Sequence, residues 1–180
     1  AVARAISTGT DRVLTVNPHE PDVCDFFDVP CEVVDAAGRL AEPLPGDLHE
    51  PLFLAPDDGA IDLATTVRDA YGEGSTDHFE KHRDRDTGEI TMEPSAVDVT
   101  GRDVVLVDDI VATGGTMSEA IAHLHEMAVG RVLVTCVHPM FADSARTRLA
   151  RADVAAVHGT DTLERVASSV SVAPVLADHL

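Results

Sequence analysis

Apolar residues recur along this chain in two alternating rhythms. Arg12–Val16, Leu52–Ala55, Asp103–Val107, Arg131–Val137 and Val154–Val157 are short apolar runs that predict strands, and Thr76–Glu80 predicts a weaker one. Ala1–Ser7, Ile61–Tyr71, Met117–Met127, Ser144–Ala150 and Ala173–Leu180 predict helices, the longer ones by their apolar spacing. Strand–helix alternation with short loops predicts an α/β fold, a parallel sheet flanked by helices. In such sheets ligands collect at the carboxyl ends of strands. The loops richest in chemistry all fall there: Asn17–Pro21, Pro56–Gly59, Glu80–Glu89 and Asp108–Thr116. The stretch Arg83–Glu89 is polar, contains a glycine and has no periodicity, so it is expected to be a mobile loop. Pro43-Leu44-Pro45-Gly46 reads as a turn rather than a linker, which leaves one domain over 1–180.

Composition narrows the partners. Hydrophobic residues make up 44% of the 180, enough for a core, and with aromatics at 3% and no Trp that core must be aliphatic. The 32 acidic residues against 13 basic ones give a net charge of −19, a surface that repels nucleic acid and anionic membrane. Apolar runs of about five or six residues fall far short of the ~20 needed to span a bilayer, so a cytoplasmic protein is expected. Twelve of the 13 basic residues are Arg and one is Lys, and a carboxylate-rich surface of this kind suits high salt. Cys24, Cys31 and Cys136 have no metal-ligand spacing, and reduced, buried thiols are expected of them. The chain begins at Ala1 rather than Met, and further sequence is expected upstream.

One string concentrates the chemistry: Val107-Asp108-Asp109-Ile110-Val111-Ala112-Thr113-Gly114-Gly115-Thr116. A strand delivers Asp108 and Asp109 to the sheet edge, where paired carboxylates can accept hydrogen bonds from sugar hydroxyls or take a metal. Gly114 and Gly115 allow a tight turn whose N–H groups face one anion. Thr116 is expected to cap the next helix, whose N-terminus favours negative charge, and the Thr113 and Thr116 hydroxyls can donate to phosphate. An acid pair ending a strand and a glycine turn opening a helix are each common alone; the full string is not.

The string resembles the phosphoribosyl-diphosphate-binding motif of type I phosphoribosyltransferases. It also resembles the ribose 5-phosphate loop of the ribose-phosphate pyrophosphokinases, which share that fold. Further segments resemble the second family: His19-Glu20-Pro21 followed by Phe26-Phe27-Asp28-Val29-Pro30, then Ala55-Pro56-Asp57-Asp58-Gly59-Ala60, then Lys81-His82-Arg83. In the C-terminal half, His138-Pro139-Met140-Phe141, Gly159-Thr160-Asp161-Thr162 and Val170-Ser171-Val172-Ala173-Pro174 do the same. The resemblance spans nearly the whole chain, and with the acidic composition it suggests a halophilic archaeal source. It implies a type I phosphoribosyltransferase-like fold, corresponding to the C-terminal part of a two-half synthetase whose N-terminal half lies outside these residues. It implies transfer of the diphosphate of ATP to ribose 5-phosphate, Mg²⁺ as cofactor, and a homo-oligomer. Two rivals stay open: a transferase acting on a nucleobase, and a non-catalytic partner of a longer synthetase.

The resemblance also assigns roles. Thr113, Gly114, Gly115 and Thr116 would grip the 5-phosphate, and Asp108 and Asp109 would orient the ribose hydroxyls. His19 and Asp57 would hold Mg²⁺ with the ATP phosphates. Lys81, the one lysine, and Arg83 would stabilise the transferring group as catalytic residues; the plainer reading of Lys81 is a surface ion pair with Glu80 or Asp84. For His19 the plainer reading is polar surface. The family usually carries a second glycine where this chain has Ala60, and a small residue or His where it has Asp58.

Overall fold

A computed structural model describes residues 1–83, 90–94, 97–142 and 144–180, with the backbone alone described at 81–83 and 90–94. In chain order these residues form α1 (Val2–Ser7), β1 (Val13–Val16), β2 (Cys31–Val34), β3 (Leu52–Ala55), α2 (Ile61–Tyr71), β4 (Ser75–Arg83), β5 (Ile90–Pro94), β6 (Val104–Ile110), α3 (Gly115–Glu126), β7 (Val132–His138), α4 (Ala145–Arg151), β8 (Ala156–Thr160), β9 (Ser168–Val170) and α5 (Ala173–Ala177). Seven strands build one sheet in the order β5-β4-β3-β6-β7-β8-β9. Every neighbouring pair is parallel except β4 with β5. A separate two-stranded parallel sheet pairs Val13 with Cys31 through to Val16 with Val34.

The period of two along the central strands sorts their side chains into two cores. Leu52, Leu54, Val104, Leu106, Val132 and Val134 face one way, into a cluster with Met117, Ile121 and Leu124 of α3 and Leu149 of α4. Phe53, Ala55, Val105, Val107, Leu133 and Val137 face the other way, against Ala64 and Val67 of α2 and Leu40 of a 3-10 turn at Ala37–Ala41. Strands buried on both faces must be apolar throughout, which is why β6 and β7 stand out in the sequence.

The amino edge of the sheet is tied by one acid. Asp103 is 4% exposed. Its carboxylate accepts the His49 N–H at 2.8 Å, the Arg131 N–H at 2.7 Å, and Arg131 Nε and Nη2 at 3.0 and 2.7 Å. Its own carbonyl accepts the Leu52 N–H at 2.9 Å, so one residue registers the starts of β3, β6 and β7.

Where the structure departs from the sequence expectation, local reasons can be given. β4 turns back into β5 with Glu80 opposite Glu93, adding an antiparallel edge to the expected parallel sheet. An edge strand tolerates its closing Pro94, because no further strand needs that missing N–H. Arg83 ends β4 rather than opening a loop, and the rest of the expected mobile loop, 84–89, lies outside the described residues. β6 runs on to Ile110, so both aspartates are strand residues. The closing helix stops at Ala177. Cys24 and Cys31 are joined in a disulfide, their Cα atoms 5.2 Å apart, because the 3-10 turn Pro21–Phe26 folds back on β2. The expectation of reduced thiols therefore fails for this pair. Cys136 is the buried, free cysteine, its thiol pushed up to about 12 by burial. Among the described residues no helix is long and apolar enough to cross a membrane.

Candidate functional site

The chain leaves β3 towards β4 on one side of the sheet and returns to β6 on the other. The reversal point of this α/β sheet therefore lies between β3 and β6, where a crevice opens at the strand carboxyl ends. Asp57 lies two residues past β3, and Asp108 and Asp109 end β6. β4, next to β3, brings the backbone of Lys81 to Arg83 to the same edge; their side chains lie outside the described residues.

Asp108 and Asp109 are held close together at the end of β6. Asp108 is half-buried, and its Oδ1 accepts the Asp109 N–H at 2.9 Å. Burial first, then the Asp109 carboxylate, with Asp57 adding to it, push the Asp108 carboxyl up to about 7. Asp109 has a partner from elsewhere in the chain: its Oδ2 lies 2.7 Å from His19 Nδ1. A carboxylate only accepts, so Nδ1 carries the hydrogen. That hydrogen bond and the Asp109 charge raise the pKa of the exposed imidazole, with Glu20 and Asp108 contributing.

His19 reaches the sheet because its loop is anchored beneath it. Asn17 has φ 34°, a left-handed conformation that Asn tolerates better than most residues. His138, at the end of β7, donates from Nε2 to the Asn17 carbonyl at 3.0 Å and meets Thr162 Oγ1 through Nδ1 at 2.9 Å. The Asn17 side chain donates to Asp35 at 2.7 Å and accepts the Ala36 N–H at 2.7 Å. His138 was visible only as part of a resembling segment. Its contacts are 121 and 24 residues away, beyond any local pattern.

The glycine turn behaves partly as expected. Gly114 has φ 71° and is the residue before α3, packed with 3.5 Å between an ideal Cβ and Ala145 of α4. No side chain caps α3, so the expected cap at Thr116 is absent. Thr116 is the second helical residue, and the left-handed Gly114 makes the entry instead. Gly115 has no positive φ, and its lack of a side chain keeps the backbone open. The first N–H groups of α3 therefore have no partner among the described residues, as is usual at a helix N-terminus. The exposed Thr113 and Thr116 side chains have no hydrogen-bond partner among the described residues.

Among the described residues no three His, Cys, Asp or Glu side chains form a ready cage for a metal. Mg²⁺ does not need one, since it commonly binds through one or two carboxylates, waters and substrate phosphates. The half-buried Asp108, raised by burial and then by the neighbouring acids, offers the kind of oxygen-rich setting that such an ion suits. Asp57 and His19 lie close enough to act on it electrostatically, and the next residue, Asp58, is exposed.

Paired carboxylates beside an open helix N-terminus, at the reversal point of a parallel sheet, make an α/β domain equipped to bind a phosphorylated polyol. The chain belongs to the phosphoribosyl transferase domain family, which it matches over residues 31–171. The ribose-phosphate pyrophosphokinase of Halobacterium salinarum is 63% identical over 180 residues, covering 100% of this chain and 63% of that one. The protein of the same name from Methanosarcina mazei is 43% identical over 182 residues, covering 100% of this chain and 60% of that one. The crystal structure of phosphoribosylpyrophosphate synthetase from Mycobacterium smegmatis superposes with a TM-score of 0.80 at 27% identity, over 99% of this chain and 60% of that one. The chain thus spans 60–63% of the length of these relatives.

Proposed function

We propose that this chain carries the ribose 5-phosphate site and the transfer chemistry of a ribose-phosphate pyrophosphokinase, which moves the diphosphate of ATP to the 1-hydroxyl of ribose 5-phosphate and releases AMP. The observation that carries the proposal is the seating of His19 on Asp109. It adds the N-terminal loop to the sugar-phosphate crevice of the transferase fold, in a chain matched end to end by relatives of that name.

In this reading the Thr113–Thr116 loop takes the 5-phosphate on backbone N–H groups and two hydroxyls. Asp108 and Asp109 accept from the ribose hydroxyls and orient the 1-hydroxyl. His19 and Asp57 hold Mg²⁺, which when bound supplies positive charge against the ATP phosphates. Lys81 and Arg83 stabilise the transferring group. Positioning and electrostatics suffice for a transfer of this kind, and no covalent enzyme intermediate is needed. The partners are ATP and ribose 5-phosphate. A cytoplasmic homo-oligomer completes the proposal, and the net charge of −19 supports the exclusion of nucleic acid and anionic membrane.

Phosphorus NMR on the chain in molar KCl with Mg²⁺, ATP and ribose 5-phosphate tests this. AMP and phosphoribosyl diphosphate appearing together are expected. A ribose 5-phosphate signal that shifts while no AMP forms, followed by pyrophosphate release from phosphoribosyl diphosphate and a nucleobase, would replace the proposal with a transferase. Lys81→Ala is expected to cut turnover about a thousandfold, the scale seen for cationic stabilisers of phosphoryl transfer. Ribose 5-phosphate affinity should stay within about twofold, well under the tenfold that 1.4 kcal/mol produces. An equal loss in both quantities would remove Lys81 from the transfer step.

A further inference from the structure

The phosphate loop has an electrostatic gap. From Val107 to Thr116 the chain contains no Lys or Arg, while Asp108 and Asp109 lie in the same string and Asp57 acts on Asp108. A phosphate monoester brings a charge of about −1.5 to −2 at neutral pH into this acidic crevice. Helix N–H groups and hydroxyls offset part of that, and a cation nearby would offset more.

α4 places one. Its first residue, Ala145, packs on Gly114, and one turn later Arg148 lies on the same helix face. Helical side chains lean towards the N-terminus of their own helix, which here means towards the Gly114–Gly115 turn. Arg148 Nη1 stands 3.6 Å from where a Cβ on Gly115 would sit, beside the first residue of α3. The side chain is exposed and makes no hydrogen bond or ion pair among the described residues. A purely helix-stabilising arginine in the last turn of α4 would lean on the carbonyls of its own helix end. This one reaches across to another helix and has no carboxylate partner among the described residues.

We propose that Arg148 is a phosphate-binding residue of this site, its guanidinium closing the open side of the Thr113–Thr116 loop on the 5-phosphate of the sugar. The inference rests on the sugar-phosphate reading of that loop. A guanidinium offers two parallel N–H donors to two phosphate oxygens, a geometry that an ammonium cannot reproduce. It supplies binding rather than chemistry, because the 5-phosphate is remote from the transferring group.

Titration of the wild-type chain, Arg148→Gln and Arg148→Lys with ribose 5-phosphate, and separately with inorganic phosphate, followed by phosphorus NMR over a range of KCl concentrations, tests it. Arg148→Gln is expected to weaken both ligands about tenfold, and Arg148→Lys to recover part of the loss. Wild-type affinity should fall more steeply with KCl than that of Arg148→Gln, because a screened charge pair has been removed. Mg-ATP affinity and the thermal midpoint should not move. If wild type and Arg148→Gln bind both ligands alike, Arg148 is a solvated surface charge and the sugar-phosphate reading stands without it. A parallel loss of Mg-ATP affinity or of thermal stability would make its role structural. If the wild type binds neither ribose 5-phosphate nor phosphate, the reading of the loop itself fails, and the assignment falls with it.

Discussion

Asp108→Asn is expected to raise the stability of this chain at neutral pH and, under the proposed function, to remove most of the turnover. The folded protein holds the Asp108 carboxyl at about 7, against 3.8 for an ordinary aspartate, through burial and then the adjacent Asp109. A proton is therefore bound more tightly by the folded state than by the unfolded one between those two values. Stability attributable to Asp108 falls as pH rises from about 4 to about 7 and is level above that, since the slope follows the difference in bound protons. A shift of this size corresponds to about 4 kcal/mol at 1.36 kcal/mol per pH unit. Shared titration with Asp109 and the residual desolvation of an amide reduce the recoverable part to roughly 2–3 kcal/mol. Asn keeps an oxygen for the Asp109 N–H, so the strand end is preserved. The thermal midpoint should rise by roughly 5–10 °C at pH 7.5 and hardly at all at pH 4.5. If Asp108 orients the sugar as proposed, turnover should drop by two orders of magnitude or more, on the scale of losing one preorganised charged partner. Thermal melts of both proteins across pH, set beside the phosphorus NMR assay, check this. A variant less stable than wild type at pH 7.5 would mean that the carboxylate is compensated in the fold and not held under strain for a ligand.

The same contrast explains which parts of the molecule were legible beforehand. β3, β6 and β7 are buried on both faces, so burial alone requires apolar runs, and runs of that kind are visible without knowing the fold. The crevice was legible for a related reason: Asp57 and the Gly114 turn each follow a strand, Asp108 lies near the carboxyl end of one, and strand ends of a parallel sheet converge. β5 was not read, because an edge strand is specified largely by backbone pairing, and Ile90–Pro94 mixes polar residues with a proline. β2 was missed because its four residues open with Cys31-Glu32, and the charge leaves no unbroken apolar run to mark a strand. The Cys24–Cys31 bridge depends on a 3-10 turn that no apolar pattern marks.

Side-chain geometry was the least accessible. Thr116 is a good capping residue by type, yet the left-handed Gly114 moves the helix start so that Thr116 falls inside it. The pairing of His19 with Asp109 spans 90 residues, and it holds because His138 and Asn17 fix the intervening loop. Residue type pointed to His19 and to Asp109 separately. Only the loop after β1, held to β7 through His138 and to β6 through Asp109, makes them one site.

Asp103 offers the opposite case, a buried carboxylate that holds the fold and does no chemistry. Asp103→Ala is expected to lower stability by about 3 kcal/mol, the low end for breaking a buried pair, because Arg131 is partly exposed and can rehydrate. That figure includes the His49 and Arg131 N–H groups, which lose their acceptor at a cost of about 1 kcal/mol each. The thermal midpoint should fall by roughly 10 °C. Asp103→Asn, which keeps the shape and one acceptor oxygen, should lose about half as much, on the scale of a charged hydrogen bond exchanged for a neutral one. Burial works against the Asp103 charge, but the Arg131 guanidinium and the two backbone N–H groups outweigh it and hold the carboxyl below its ordinary value. Its contribution is thus complete above that ordinary value and disappears as pH falls through the lowered one. The gap between wild type and Asp103→Asn should accordingly close in acid, whereas the gain from Asp108→Asn should open as pH rises towards 7. Asp103 lies at the amino edge of the sheet and Asp108 at the carboxyl edge, so turnover per folded molecule should be unchanged in Asp103→Asn. Equal melting temperatures for wild type and Asp103→Ala would show that β3, β6 and β7 keep their register without the knot at Asp103.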